Sequence, residues 1–181
     1  IPPVAARFTG RRRPAQAGRR GNVPPRPRVA AAMTDDLPLP RIGPNAVHLC
    51  VDMQVMFAAH TDWHMPWMPR VLPRVAELAR AHAGATVFTR FIPAAAVGEG
   101  RGTWRGYYER WPGMTQERLP PGAIDLVPEL ARLSPPAVVY DKRVYSPWDG
   151  DLDLRLQHRG IDTLVVSGGE TEVCVLASVL G

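Results

Sequence analysis

The chain has 181 residues, 45% of them hydrophobic, which is material for one domain with a substantial core and little room for a second. Its formal charge of +5 belongs to one end: residues 1–32 hold eight Arg and no acid, leaving −3 on residues 33–181, so the body is not a basic nucleic-acid binder. No apolar run approaches the roughly 18 residues that span a bilayer, no short apolar block follows the basic segment as in a secretory signal, and Cys50 and Cys174 form neither a metal spacing nor a disulfide framework. A cytoplasmic location, without membrane contact, is the expectation.

Residues 1–32 contain six of the 20 Pro and no periodic run of large apolar residues, so they are expected to be disordered. An Arg-rich, acid-free composition has a faint likeness to an organelle transit peptide, but Pro14, Pro24, Pro25 and Pro27 would interrupt the amphipathic helix such a peptide needs. The other readings are a translated leader ahead of a natural start at Met33, or a tail that holds polyanions without specificity.

From Met33 onward, short apolar runs alternate with helix-like stretches, the pattern of β-α units around a parallel sheet. Ala46–Val51 reads as a first buried strand, with Asp52 directly after it, where open α/β sheets collect functional groups. Pro69–Ala83 reads as a helix with Val71, Leu72, Val75, Leu78 and Ala79 on one face, Pro73 delaying its start and Gly84 ending it. Ala85–Phe91 is the second strand. The stretch Pro93–Gly122 is too long for an ordinary connection and carries Trp104, Tyr107, Tyr108 and Trp111, either as a lid or as rings that pack the loop onto the core or a neighbouring subunit.

A helical turn within Ile124–Leu133 leads to a third strand, Ala137–Tyr140, followed by Lys142, the only Lys in the chain. A sequence that uses Arg everywhere else and keeps Lys here points to a compact, tunable ammonium. Asp151–Arg159 reads as a helix with its acid early and base late, closed by Gly160. Thr163–Val166 is the fourth strand, and Thr171 is placed to cap a last helix running through Cys174. A thiol one turn into a helix, near an ammonium, is expected to favour the thiolate; Cys50 reads as an inert core thiol.

Three ordered segments carry a specific resemblance. They are Asp52-Met53-Gln54-Val55-Met56-Phe57, the lysine block Lys142-Arg143-Val144-Tyr145-Ser146-Pro147-Trp148, and Gly168-Gly169-Glu170-Thr171-Glu172-Val173-Cys174-Val175. From Ala46 to Gly181 the chain resembles the isochorismatase-like (nicotinamidase-like) cysteine hydrolases. The resemblance implies a doubly wound, mostly parallel α/β sheet with helices on both faces. It also implies a hydrolase that cleaves the C–N bond of a small amide, carbamoyl or ureido compound. Asp52 would take the thiol proton, Lys142 would stabilise charge, and Cys174 would attack the carbonyl to form a thioester. The Gly169–Glu170 peptide would be cis, and the amides of Glu170 and Cys174 would form the oxyanion hole. A Cys at this position disfavours the cysteine-free enol-ether hydrolysis of isochorismatase itself.

Gln54, Phe57, Trp104, Tyr108 and Trp148 are expected substrate contacts, and Arg90 or Arg105 would receive a substrate carboxylate, although neither arginine belongs to a family motif and a surface charge is the other reading. The second strand lacks the Asp-x-His segment of the metal-containing nicotinamidases, so neither metal nor cofactor is expected, and nicotinamide is disfavoured as substrate. The family continues past the position of Gly181, so a C-terminal truncation with an uncovered strand edge is expected, as is a homo-oligomer. The competing class is a non-catalytic interaction protein of the same fold, with a vestigial triad and the basic tail as its polyanion-binding element.

Overall fold

The structure, a computed structural model, describes residues 42–181; the readings made for residues 1–32 and for Met33 lie outside it. Four strands, β1 (Ala46–Val51), β2 (Thr86–Phe91), β3 (Val138–Lys142) and β4 (Thr163–Gly168), pair in parallel in the order β3-β2-β1-β4. The chain therefore steps outward from β1 to β3 and returns to the other side of β1, which puts the topological switch between β1 and β4.

Strand alternation divides the core into two layers. Val47, Leu49 and Val51 of β1 and Val87 of β2 face Leu152, Leu156 and Cys174, while Cys50 and Phe88 face Met68, Val75, Ala79 and Leu130. The helices divide accordingly. Of six among the described residues, α1 (Val55–Ala58), α2 (Met68–Ala81), α3 (Thr103–Arg110), α4 (Pro128–Ala131), α5 (Leu152–His158) and α6 (Leu176–Leu180), α2 and α4 cover one face and α5 the other, together with the segment around Cys174. No helix among the described residues is long and apolar enough to cross a membrane.

Several local expectations shift. Pro73 does not delay α2, which starts at Met68: its missing amide costs one hydrogen bond, and burial of Met68, Val75, Ala76 and Ala79 outweighs it. Val71 is 39% exposed and falls off the buried face. The stretch from Pro93 to Gly122 is not one irregular loop, since α3 forms within it. β3 runs on through Asp141 to Lys142, so the ammonium sits on the last residue of a strand. Thr171 is not a cap: Glu170 occupies that position without a side-chain cap bond, and a π-helical turn, Thr171–Val175, precedes α6.

The second layer buries one polar cluster. His48 is 4% exposed, with Nδ1 3.3 Å from Thr86 Oγ1 and Nε2 2.7 Å from Ser167 Oγ. Thr86 spends its hydroxyl proton on the His82 carbonyl at 2.9 Å, so it accepts from His48 Nδ1–H, and Nε2 accepts from Ser167. Burial first, His82 second, lowers the ring's pKa to about 4, so it is neutral near pH 7 and only one of its nitrogens donates. The unfolded chain, with a His pKa near 6.5, binds more protons between these values, so stability present above about pH 6.5 is lost as pH falls toward 4. We expect His48 to contribute roughly 2–3 kcal/mol to that loss. Urea unfolding at pH 7.5 and 4.5 should show a steeper decline for the wild type than for His48→Gln; parallel declines would remove His48 as the cause.

Candidate active site

The site forms at the carboxyl ends of the strands. Asp52 follows β1 with φ +51°, a left-handed conformation that Asp tolerates better than most residues. Thr89 of β2 holds it there: the Asp52 amide lies 3.2 Å from both the Thr89 carbonyl and its hydroxyl, and the hydroxyl donates to Asp52 Oδ1 at 2.5 Å. On the other side of the switch, Gly168 (φ +114°) ends β4 so close to β1 that a Cβ would stand 2.6 Å from the Val51 nitrogen; only glycine fits. This approach carries the Gly169–Glu170 peptide, which is cis, to the end of β1.

Lys142 reaches Asp52 from two strands away. Its ammonium lies 5.4 Å from the Phe91 ring centroid, donates to Asp52 Oδ2 at 2.6 Å and reaches the Val144 carbonyl at 3.2 Å. The two side chains are 2% and 0% exposed. A carboxylate and an ammonium withdrawn from water this far are tolerable only as a pair.

Cys174 stands beside both charges. Burial pushes its thiol above the usual cysteine range, the Asp52 carboxylate pushes in the same direction, and Lys142 opposes them. The expected thiolate is thus not the resting state. The ammonium is already neutralised by Asp52, and the thiol faces a pair with little net charge rather than a bare cation. The Val173 and Val175 amides both donate to the Glu170 carbonyl, while the Glu170 amide has no backbone acceptor among the described residues.

Cys174 and Glu170 border a cavity of about 330 Å³ with Phe57, Trp63, Tyr107 and Tyr145. Phe57 lines this cavity, and the other expected contacts stand elsewhere. Gln54 is fully buried, with Oε1 accepting from the Phe91 amide at 2.7 Å and Nε2 donating to the carbonyls of Phe91 and Ile124 at 3.0 and 2.7 Å. It pins the start of α1 to the end of β2, with both ends of its amide engaged by backbone. Arg90 is gripped by both oxygens of Asp141 at 2.8 and 2.9 Å and by Asp125 at 3.2 Å, a surface ion pair. Arg105 is exposed on α3.

Trp104 and Tyr108 line a second cavity with Arg101 and Arg143. Trp104 supports the first cavity from behind, packing against Tyr145 and Phe91 with centroids 4.8 and 5.9 Å apart. The Trp148 indole donates to the Ser178 carbonyl at 3.0 Å and secures α6. The sequence reading gave no role to Thr89, Trp63 or Tyr145. Thr89 carries a local signal as a hydroxyl in the middle of a buried strand, and Tyr145 stands in the lysine block; Trp63 carries none.

The isochorismatase domain family matches residues 46–181. The chain belongs to this family of hydrolases. A cysteine hydrolase from Pseudomonas syringae pv. phaseolicola 1448A superposes with a TM-score of 0.65 at 25% identity, over 81% of this chain and 70% of that one. Pyrazinamidase of Pyrococcus horikoshii in complex with zinc gives a TM-score of 0.57 at 29% identity, over 76% and 77%. N-carbamoylsarcosine amidase from Thermoplasma acidophilum, at 22% identity and a TM-score of 0.56 over 75% and 73%, shares the fold. No curated protein sequence matches the chain.

The zinc of the pyrazinamidase raises the question of a metal in this isochorismatase-family chain. Asp62 and His64 reach the cavity wall and the His60 ring lies 4.7 Å from that of His64, yet no three carboxylate, imidazole or thiol groups converge at ligand spacing among the described residues. These side chains do not fit a metal centre, and no step below runs through one.

The two thiols differ in access. Cys50 is fully buried and burial raises its pKa to about 12, whereas Cys174 borders the cavity. Iodoacetamide should label Cys174 well before Cys50, at a rate that keeps rising above pH 9 because the Cys174 thiol lies above its ordinary range. Peptide mapping after timed alkylation checks this. Equal rates would undo the site assignment, and a rate that levels off near pH 7 would mean a preformed thiolate.

Proposed function

We propose that this isochorismatase-family hydrolase cleaves the C–N bond of a small amide, carbamoyl or ureido compound through a Cys174 thioester. The observation that carries the reading is the buried Asp52–Lys142 pair beside a cysteine on the wall of a cavity. A neutral thiol next to a carboxylate is set up for concerted transfer: as sulfur attacks the carbonyl carbon, its proton passes to Asp52. Lys142 keeps Asp52 oriented and offsets the changing charge. The oxyanion is received by the amides of Glu170 and Cys174. Asp52 returns the proton to the leaving nitrogen as the C–N bond breaks, and the amine departs. Water then gives a proton to Asp52 as its oxygen attacks the thioester carbonyl, and as the C–S bond breaks Asp52 passes that proton to the sulfur, which releases the acid and restores the thiol and the carboxylate.

Ammonia release across carboxamides, carbamoyl amino acids and ureido acids tests the reaction class. Hydroxylamine added during turnover should divert the acyl group to a hydroxamate in competition with water. Absence of both ammonia and hydroxamate from all three classes would overturn the reading.

A further inference from the structure

The lining of the cavity over Cys174 narrows the substrate further; the inference deepens the hydrolase reading and rests on it. Six rings border the space: Phe57, Trp63, Phe91, Tyr107, Trp111 and Tyr145. Most are held by one another, with Trp63 5.6 Å from Tyr107 and 6.2 Å from Phe57 between centroids. Two carboxylates, Asp62 and Glu170, and one imidazole, His64, join Val173 and Cys174 in completing the lining, and among the described residues no Lys or Arg is part of it. Asp62 and Glu170 are exposed and have no ion-pair partner among the described residues.

Among the described residues, the cations around this region that the structure fixes are engaged or placed elsewhere. Lys142 is held by Asp52, Arg90 by Asp141 and Asp125, and Arg101 and Arg143 face the second cavity beyond Trp104. Arg110 lies over Trp111 without joining the lining. A substrate carboxylate entering here would meet an aromatic wall and two acids, with no guanidinium among the described residues to receive it. A cation would meet the same surfaces with the opposite sign. Ring faces attract an ammonium, most strongly where it has shed water, and an aromatic cage with acids at its rim is a recognised means of holding alkylated ammonium groups.

We propose that the cavity selects amides whose acyl portion carries an ammonium group, held by the rings around Trp63 and Tyr107 with Asp62 and Glu170 supplying the charge. Carbamoyl amino acids and ureido acids, each bearing a carboxylate, then become poor substrates.

Three probes of similar size isolate the charge: trimethylammonioacetamide, its uncharged isostere 3,3-dimethylbutanamide, and the anionic succinamate. Binding is read by tryptophan fluorescence on the otherwise intact Cys174→Ala protein, which does not depend on turnover. The cationic amide should bind at least tenfold more tightly than its isostere, the preference should shrink with added salt, and Asp62→Asn with Glu170→Gln should reduce it several-fold. Equal or tighter binding of the isostere, strongest binding of succinamate, or no binding of the cationic amide at millimolar concentration would each overturn the proposal. Ammonia release by the wild type from the same three compounds separates the two readings. A cation preference without ammonia from any amide would leave the cavity assignment standing and remove the hydrolase reading, and ammonia with no cation preference would do the reverse.

Discussion

Cys174→Ala should lower kcat by about 10⁴-fold or more, the scale seen when a covalent nucleophile is removed, while leaving the fold in place. Cys174 is 5% exposed and packs with Val47, Leu49 and Val51, so the exchange removes one sulfur from a small-residue position and keeps the backbone helical. The neighbouring charges should tolerate it as well. Asp52 retains Lys142 at 2.6 Å and Thr89 at 2.5 Å, and neither bond uses the sulfur. Ammonia release on a substrate found by the amide panel gives the rate, and near-ultraviolet circular dichroism with urea unfolding gives the fold. Turnover within tenfold of wild type in a folded Cys174→Ala protein would exclude Cys174 as nucleophile and leave the cavity a binding site only.

Lys142 should be the position least tolerant of a conservative change. An exposed Lys can usually be replaced by Arg at little cost, but this ammonium is 2% exposed and fits between Asp52 Oδ2 and the Val144 carbonyl. A guanidinium is larger and planar, and cannot hold both partners as a compact point charge does. Lys142→Arg should therefore displace Asp52 from Cys174 and lower kcat by roughly 100-fold, the scale of one misplaced electrostatic group. Lys142→Met isolates the charge instead. It leaves a buried carboxylate with only the Thr89 hydroxyl and should cost about 3–5 kcal/mol of stability, measurable by urea unfolding at pH 7.5. Near-normal kcat in Lys142→Arg together with an unchanged urea midpoint in Lys142→Met would show that the pair neither works in catalysis nor supports the fold.

Some of this was legible in the chain because the signals are contiguous. Apolar runs bounded by turn residues marked all four strands, and β1 has the bounds read from its sequence, since a strand buried on both faces shows itself as a nearly continuous apolar segment, broken here only by His48. Asp52, Lys142 and Cys174 each stand in a short motif next to a strand end, so their candidacy needed no knowledge of pairing. Local signals also misled where a tertiary term was larger. Pro73 speaks for a delayed helix start and Val71 for a buried face, but the packing of α2 on the sheet decides both.

What only the tertiary structure decided is everything that depends on distance across the sheet and on depletion of water. Lys142 meets Asp52 across 90 residues of sequence because β3, β2 and β1 lie side by side, and Thr89 becomes the anchor of Asp52 for the same reason. Arg90 looks available as a substrate ligand until β3 places Asp141 beside it. Trp63, Tyr107 and Tyr145 come from three separate segments and become one wall only when those segments pack. The direction of the Cys174 shift is also a sum over space. A motif can put a thiol near a cation, but burial and the carboxylate that already neutralises that cation determine which way the proton is held.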